Sequence, residues 1–184
     1  NYDQKHFYIE VRDFSLAEKS KDDRSADGWE LQITTDTEGK EYTNWIKRYD
    51  NLSGRIDQIK FVKSTIKKNP TDTDGIDASY WQLVLEDADE KYFINFKKNS
   101  VVGERFTKVA ENLDPDLPLT VSIWKDTSGK KAKATIKFEQ DGKNVPQKYK
   151  IVGDALVDSS DETRTGLPTI KVRRDGTKNW DDVN

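Results

Sequence analysis

YWQLVLEDADEKYFINFKKNSVVGERFTKVAEN, residues 80–112, contains the change of period that decides the fold. Trp81, Leu83 and Leu85 alternate with Gln82, Val84 and Glu86, the period of two expected of a half-buried strand. Asp87-Ala88-Asp89-Glu90 reads as a polar turn. Tyr92, Ile94 and Phe96 then alternate with Phe93, Asn95 and Lys97, the return strand of a hairpin. From Val101 the spacing becomes helical: Val102, Phe106, Val109, Ala110 and Leu113 share one face, with Glu104, Arg105, Lys108 and Glu111 on the other. Asn112 and Pro115 close that helix.

Outward from this stretch the chain reads as strands. Residues 6–11 put Phe7, Ile9 and Val11 on one face and Tyr8 and Glu10 on the other. Residues 13–28 read as a charged loop, 29–33 as a second strand and 42–49 as a third. In residues 51–65 Leu52, Gly54 and Ile56 share one parity, whereas Ile59 and Phe61 share the opposite one. That slip predicts a β-bulge near Asp57-Gln58, with Gly54 permitting a sharp bend. Residues 67–79 form a polar loop. After the helix, Leu119, Val121 and Ile123 mark one strand, Ala132, Ala134, Ile136 and Phe138 the next, and residues 145–149 a short last one. Three strands, a helix and three strands from residue 52 onward is the order of an OB-fold barrel. The expected architecture is all-β with one short helix: a five-stranded OB-fold barrel over 49–150, an N-terminal β extension over 1–48 packed on it, and a linker or tail over 151–184. A short strand is expected at 169–173.

Composition limits the function classes. The chain has 184 residues, no Cys, one His, and 35% charged against 33% apolar residues. No segment approaches the roughly 18 apolar residues of a membrane span, and no signal-peptide core is visible. Lacking Cys, the chain has no disulfide or thiolate chemistry, which suits a reducing compartment. It also has no Met, initiator included, which reads as a trimmed N-terminus. The net charge of −3 divides into −4 for residues 1–50, +3 for 51–150 and −2 for 151–184. A positive middle between acidic ends suits an anionic partner.

The residues point away from catalysis. His6, the one histidine, falls on the first strand as a surface or edge residue. No nucleophile elbow, P-loop or dinucleotide fingerprint is present. Asp72-x-Asp74-Gly75 lacks the later bidentate Glu of a calcium loop and reads as a solvated turn. Neither a metal nor a cofactor is expected.

Binding of single-stranded nucleic acid needs a basic groove and aromatic faces on which bases stack, each stack contributing about 1–3 kcal/mol. Three stretches interleave the two: Trp45, Lys47, Arg48 and Tyr49; Tyr92, Phe93, Lys97 and Lys98; and Trp124, Lys125, Lys131, Lys133 and Lys137; Lys60, in the strand read over 51–65, is a further candidate. Strand aromatics usually fill cores and strand lysines usually keep edges soluble, so Tyr92 and Phe96 are assigned to the core. Trp124 stays open between the core and binding readings, because Val121 and Ile123 already give its strand an apolar face without it.

Residues 49–149 resemble the bacteriophage single-stranded-DNA-binding proteins of the OB-fold kind. The resemblance lies in Tyr49-Asp50-Asn51-Leu52-Ser53-Gly54-Arg55-Ile56, in Leu83-x-Leu85-x-Asp87 with Lys91-Tyr92, and in the helix from Phe106 to Asn112-Leu113-Asp114. It continues in Pro118-Leu119-Thr120-Val121 and in Glu139-Gln140-Asp141-Gly142-Lys143. It implies a sequence-tolerant DNA groove across the sheet, used in phage replication or recombination in the host cytoplasm. It further implies an acidic C-terminal tail that recruits replication proteins, of which Trp180-Asp181-Asp182-Val183-Asn184 would be the first part. The competing expectation is a non-catalytic protein-interaction or virion β-barrel domain.

Overall fold

Trp81, Leu83 and Leu85 are buried together with Ile94 and Phe96, so the hairpin at the centre of the sequence turns one continuous apolar face inward. The computed structural model describes residues 4–25, 28–67, 75–152, 155–158, 168–172 and 178–182. The hairpin is β8 (Tyr80–Asp87) and β9 (Glu90–Lys97). Before it come β1 (Lys5–Arg12), β2 (Ser15–Ser20), β3 (Trp29–Thr35), β4 (Glu41–Tyr49), β5 (Asn51–Val62) and the two-residue pair β6 (Thr65–Ile66) and β7 (Ile76–Asp77). After it come helix α1 (Val101–Val109) with a 3-10 turn (Ala110–Asn112), then β10 (Leu119–Asp126), β11 (Lys133–Gln140) and β12 (Lys143–Asn144). Two separate hairpins follow, β13 (Tyr149–Val152) with β14 (Ala155–Asp158) and β15 (Pro168–Val172) with β16 (Lys178–Asp182). The expected strand at 169–173 is β15.

Ten strands form one sheet in the order β12-β11-β10-β5-β8-β9-β1-β2-β4-β3. The sheet curls around α1. Phe106 of the helix lies 6.0 Å from Trp81, 5.0 Å from Phe96 and 5.6 Å from Phe138, centroid to centroid, so β8, β9 and β11 share one core. Trp81 donates from its indole nitrogen to Thr107 Oγ1 at 2.9 Å, which satisfies the one polar atom that its burial would strand. Ser100 caps the helix by accepting from the Gly103 amide at 3.1 Å. Gln140 ties the segment after the helix to the sheet: it donates to the carbonyls of Asp114 and Leu117 and accepts from the Asp114 amide.

The parity slip in β5 is a bulge. Pairing with β8 shifts register between Ile56 and Gln58. Gly54 sits where β5 passes close to β8; a Cβ there would lie 2.8 Å from the Glu86 carbonyl oxygen.

Three expectations are corrected. The closed five-stranded barrel is not formed. Strands β5, β8, β9, β10 and β11 are present, but closure would require the end strands β9 and β11 to pair. The free edge of β9 is instead taken by β1, in parallel, with Phe7 opposite Tyr92 and Ile9 opposite Ile94. Residues 13–28 are not all loop: β2 pairs with both β1 and β4 and buries Leu16 and Ala17. Its two-residue turn puts Asp13 and Phe14 at φ of 46° and 66°, without the glycine that marks such turns in sequence. The strand expected at 145–149 is replaced by the two-residue β12 and an irregular run through Pro146, which has no amide hydrogen to donate.

Candidate nucleic-acid interface

The pairing register of β5, β8, β9 and β1 builds the outer face of the sheet. Lys60, Gln82, Asn95 and Glu10 lie directly opposite one another in one row, and Gln58, Val84, Phe93 and Tyr8 in the next. Gln82 donates to Asn95 Oδ1 at 2.9 Å, which fixes the middle of the polar row. In the second row Tyr8 stacks on Phe93, with centroids 5.1 Å apart and planes 19° apart. His6 meets the same Phe93 edge-on at 5.3 Å. Tyr8 is 61% exposed although it is a large ring on a central strand. Phe7, Ile9 and Val11 supply the inward face of β1, so packing does not require Tyr8.

Tyr8 also lines an open cleft of about 690 Å3. The cleft follows the seam left where β9 and β11 do not meet. One wall comes from β1 and β9, with Asn95 and Lys97; the other from the start of β11, with Lys133; Val101 and Ile66 close its end. Val101 and Ile66 are exposed apolar side chains. Lys97 makes no ion pair among the described residues and projects into solvent. The amino end of α1 adds partial positive charge at Ser100 and Val101. Glu10 is the acidic residue on the lining. The lining thus carries two lysines against one carboxylate.

The sequence-predicted residues are distributed over three places. Lys97 and Lys133 face the same cleft, Phe93 supports the Tyr8 ring at its rim, and Lys60 occupies the row beside it. A second group lies on the outer face of β10 and β11. There Trp124 is 45% exposed and opposite Thr135, and Lys133 is opposite Asp126. Lys137 is ion-paired to Glu139 at 2.6 Å and Lys131 is exposed in the turn, whereas Lys125, in step with Val121 and Ile123, is on the opposite face and lies over the Phe14 ring at 5.4 Å. Lys133 is common to this face and to the cleft.

The third group, on β4, is occupied by its own neighbours. Arg48 donates to Ser15 Oγ at 2.7 Å and pairs with Asp13 and Glu30. Lys47 lies over the Tyr49 ring at 5.3 Å, and Tyr49 donates to Glu18 at 3.1 Å. Burial, and after it the charge of Glu18, pushes the Tyr49 hydroxyl well above the usual tyrosine range. Trp45 is half-buried, opposite Leu31.

Sequence reasoning left Tyr8, Asn95 and Val101 out of the candidates; His6, read as a surface or edge residue, is exposed on β1. The signal for Tyr8 was the one used for Trp124, an aromatic on the parity opposite the core. Asp72 and Asp74 lie outside the described residues. Among the described residues no group of three or more His, Asp or Glu side chains could hold a metal ion, and no helix is long and apolar enough to cross a membrane. No protein family, curated protein or solved structure matches the chain.

Proposed function

We propose that this chain binds single-stranded DNA without catalysis and with little sequence preference. One observation carries the reading: the Tyr8–Phe93 stack stands at the rim of a cleft whose two walls present Lys97 and Lys133. Bases stack on exposed rings regardless of sequence, and lysines on either side hold the phosphates as point charges. The duplex is excluded from such a site, because its bases are already stacked and paired. In this reading β5, β8, β9, β10 and β11 are an opened OB-type sheet whose seam serves as the strand path, with Trp124 extending the path beyond Lys133. The role that fits is coating of unwound DNA during phage replication or recombination inside the host cell, with the acidic residues near the C-terminus contacting replication proteins.

The test is titration of a fluorescent 30-nucleotide oligo-dT at two salt concentrations, with a duplex of equal length as comparison. Binding should favour the single strand and weaken with salt at a logarithmic slope of about −0.7 for each phosphate neutralised. Absence of binding at low salt, or equal binding of the duplex, overturns the reading and favours a protein-interaction or virion domain.

A further inference from the structure

The two ends of the ten-stranded sheet are built differently. At one end β12 is only two residues long and begins with Lys143, two devices that stop a sheet from recruiting another strand. At the other end β3 is seven residues long, WELQITT, with no Lys, Pro or Gly. Its outer edge is unpaired among the described residues. Leu31 and Ile33 on it are 51% and 58% exposed, on the face that carries Trp45 of β4. An edge strand of this length and polarity is a template for another strand.

We propose that this edge pairs with the β3 edge of a second copy of the chain, antiparallel and centred on Gln32, joining two sheets into one across a two-fold axis. The choice of a second copy rests on the self-complementarity of β3. With Gln32 opposite Gln32, Leu31 stands opposite Ile33 of the other copy, and Ile33 opposite its Leu31. Cross-strand apolar pairs of this kind are the unit of sheet stabilisation. Glu30 falls opposite Thr34 and Trp29 opposite Thr35, so no two like charges face each other. Glu30 pairs with Arg48 at 3.5 Å, and the two Glu30 side chains would be about four residue rises, roughly 13 Å, apart along the strand. Trp45 of each copy extends the apolar seam beside Leu31. A seven-residue strand pair is small beside a standard interface of roughly 1,600 Å2, so the dimer is concentration-dependent and not permanent. This inference stands independently of DNA binding.

The chain has no Cys, so engineered thiols report on this register without background. Residues directly opposite in an antiparallel pair have Cα atoms about 4.5–5.5 Å apart, within the range of a disulfide. Under mild oxidation, a Leu31→Cys chain mixed with an Ile33→Cys chain should give a mixed disulfide dimer at several times the yield of either chain alone. Gln32→Cys should link to itself. Thr35→Cys should not, since its two copies would stand six rises, about 20 Å, apart. Both Leu31 and Ile33 are exposed, so these variants leave the core intact, and circular dichroism checks that they fold. Sedimentation of the unmodified chain should show a mass that rises with concentration and that Ile33→Lys returns to one chain's mass. Equal yields from all four thiol variants, predominant self-linking of Leu31→Cys, or a dimer unaffected by Ile33→Lys would each overturn the proposal.

Discussion

Tyr8 and Phe93 come from strands 85 positions apart in the chain, yet the parallel pairing of β1 with β9 sets them directly opposite and stacks their rings at 5.1 Å. Phe93 is thereby made a floor and Tyr8 an exposed platform. The same pairing consumes the edge of β9 and leaves the cleft beside it open. One tertiary choice, the insertion of β1, produces both the aromatic surface and the groove.

If bases stack on Tyr8, Tyr8→Ala should weaken oligo-dT binding by about 1–3 kcal/mol, roughly 5- to 150-fold. Its effect on stability should be small, because the side chain is mostly in water. Fluorescence anisotropy with a parallel thermal melt separates the two. Trp45→Ala, on β4, should leave affinity within twofold. Equal losses in both variants would exclude a site at the seam.

Lys97→Ala and Lys133→Ala address the walls of the cleft. Each should reduce affinity at low salt and lower the salt slope by about one phosphate's worth, near 0.7. Lys137→Ala is the comparison: Glu139 already neutralises Lys137 at 2.6 Å, so its slope should stay that of the unmodified chain. Titrations at four salt concentrations give the slopes.

Phe106 fills the space between Trp81, Phe96 and Phe138 and is fully buried. Phe106→Ala should cost about 3–5 kcal/mol, since the three strands around it cannot all collapse into the void. Urea denaturation followed by Trp fluorescence measures this. A loss below about 1 kcal/mol would mean that the helix does not plug the sheet as described.

Gly103 gives a prediction whose sign depends on tertiary structure. Within an isolated helix, replacing Gly by Ala is stabilising by about 1 kcal/mol. Here a Cβ on Gly103 would lie 2.1 Å from the Lys97 carbonyl oxygen, a backbone atom with little room to retreat. Gly103→Ala should therefore destabilise, and the same urea experiment shows which way the midpoint moves.

What the residues disclosed follows from where each decision is made. Alternation in β8 and β9 and the helical spacing of α1 are local, and Trp81, Leu83, Phe96 and Phe106 are buried as their periods predict. The β5 bulge was legible because a parity slip is also local. Strand β2 was hidden because its turn uses Asp13 and Phe14 without a glycine, and because Glu18 and Lys19 give it the look of a loop. The open seam could not be read at all: whether β9 meets β11 or β1 is a competition between distant strands with equally suitable faces. Lys97, Lys133 and Phe93 were singled out one by one; it is the position of β1 that sets Tyr8 on Phe93 beside the cleft lined by Lys97 and Lys133. Arg48 illustrates the converse, a basic residue beside aromatics whose charge is used by Asp13 and Glu30.

Two tyrosines on the inner side of the sheet should make stability fall at alkaline pH. Tyr49 donates to Glu18, Tyr92 donates to Glu90, and their rings meet edge-on at 6.5 Å. Burial first, and the adjacent carboxylates next, hold both hydroxyls above the usual tyrosine range near 10. A group whose pKa is higher in the folded state binds its proton more tightly there than in the unfolded chain. Its contribution is therefore complete below the unfolded value and declines as pH rises beyond about 10. Urea midpoints should be level from pH 8 to about 9.5 and fall steeply above. Lysine deprotonation contributes to that fall too, so the diagnostic comparison is Tyr49→Phe, which removes one titrating phenol and leaves every lysine in place. Its stability at pH 8 should be lower, because Glu18 loses its donor, while its decline above pH 10 should be shallower. Parallel declines in the two chains would show that Tyr49 titrates alike in the folded and unfolded states, and that the Glu18 contact does not hold its proton.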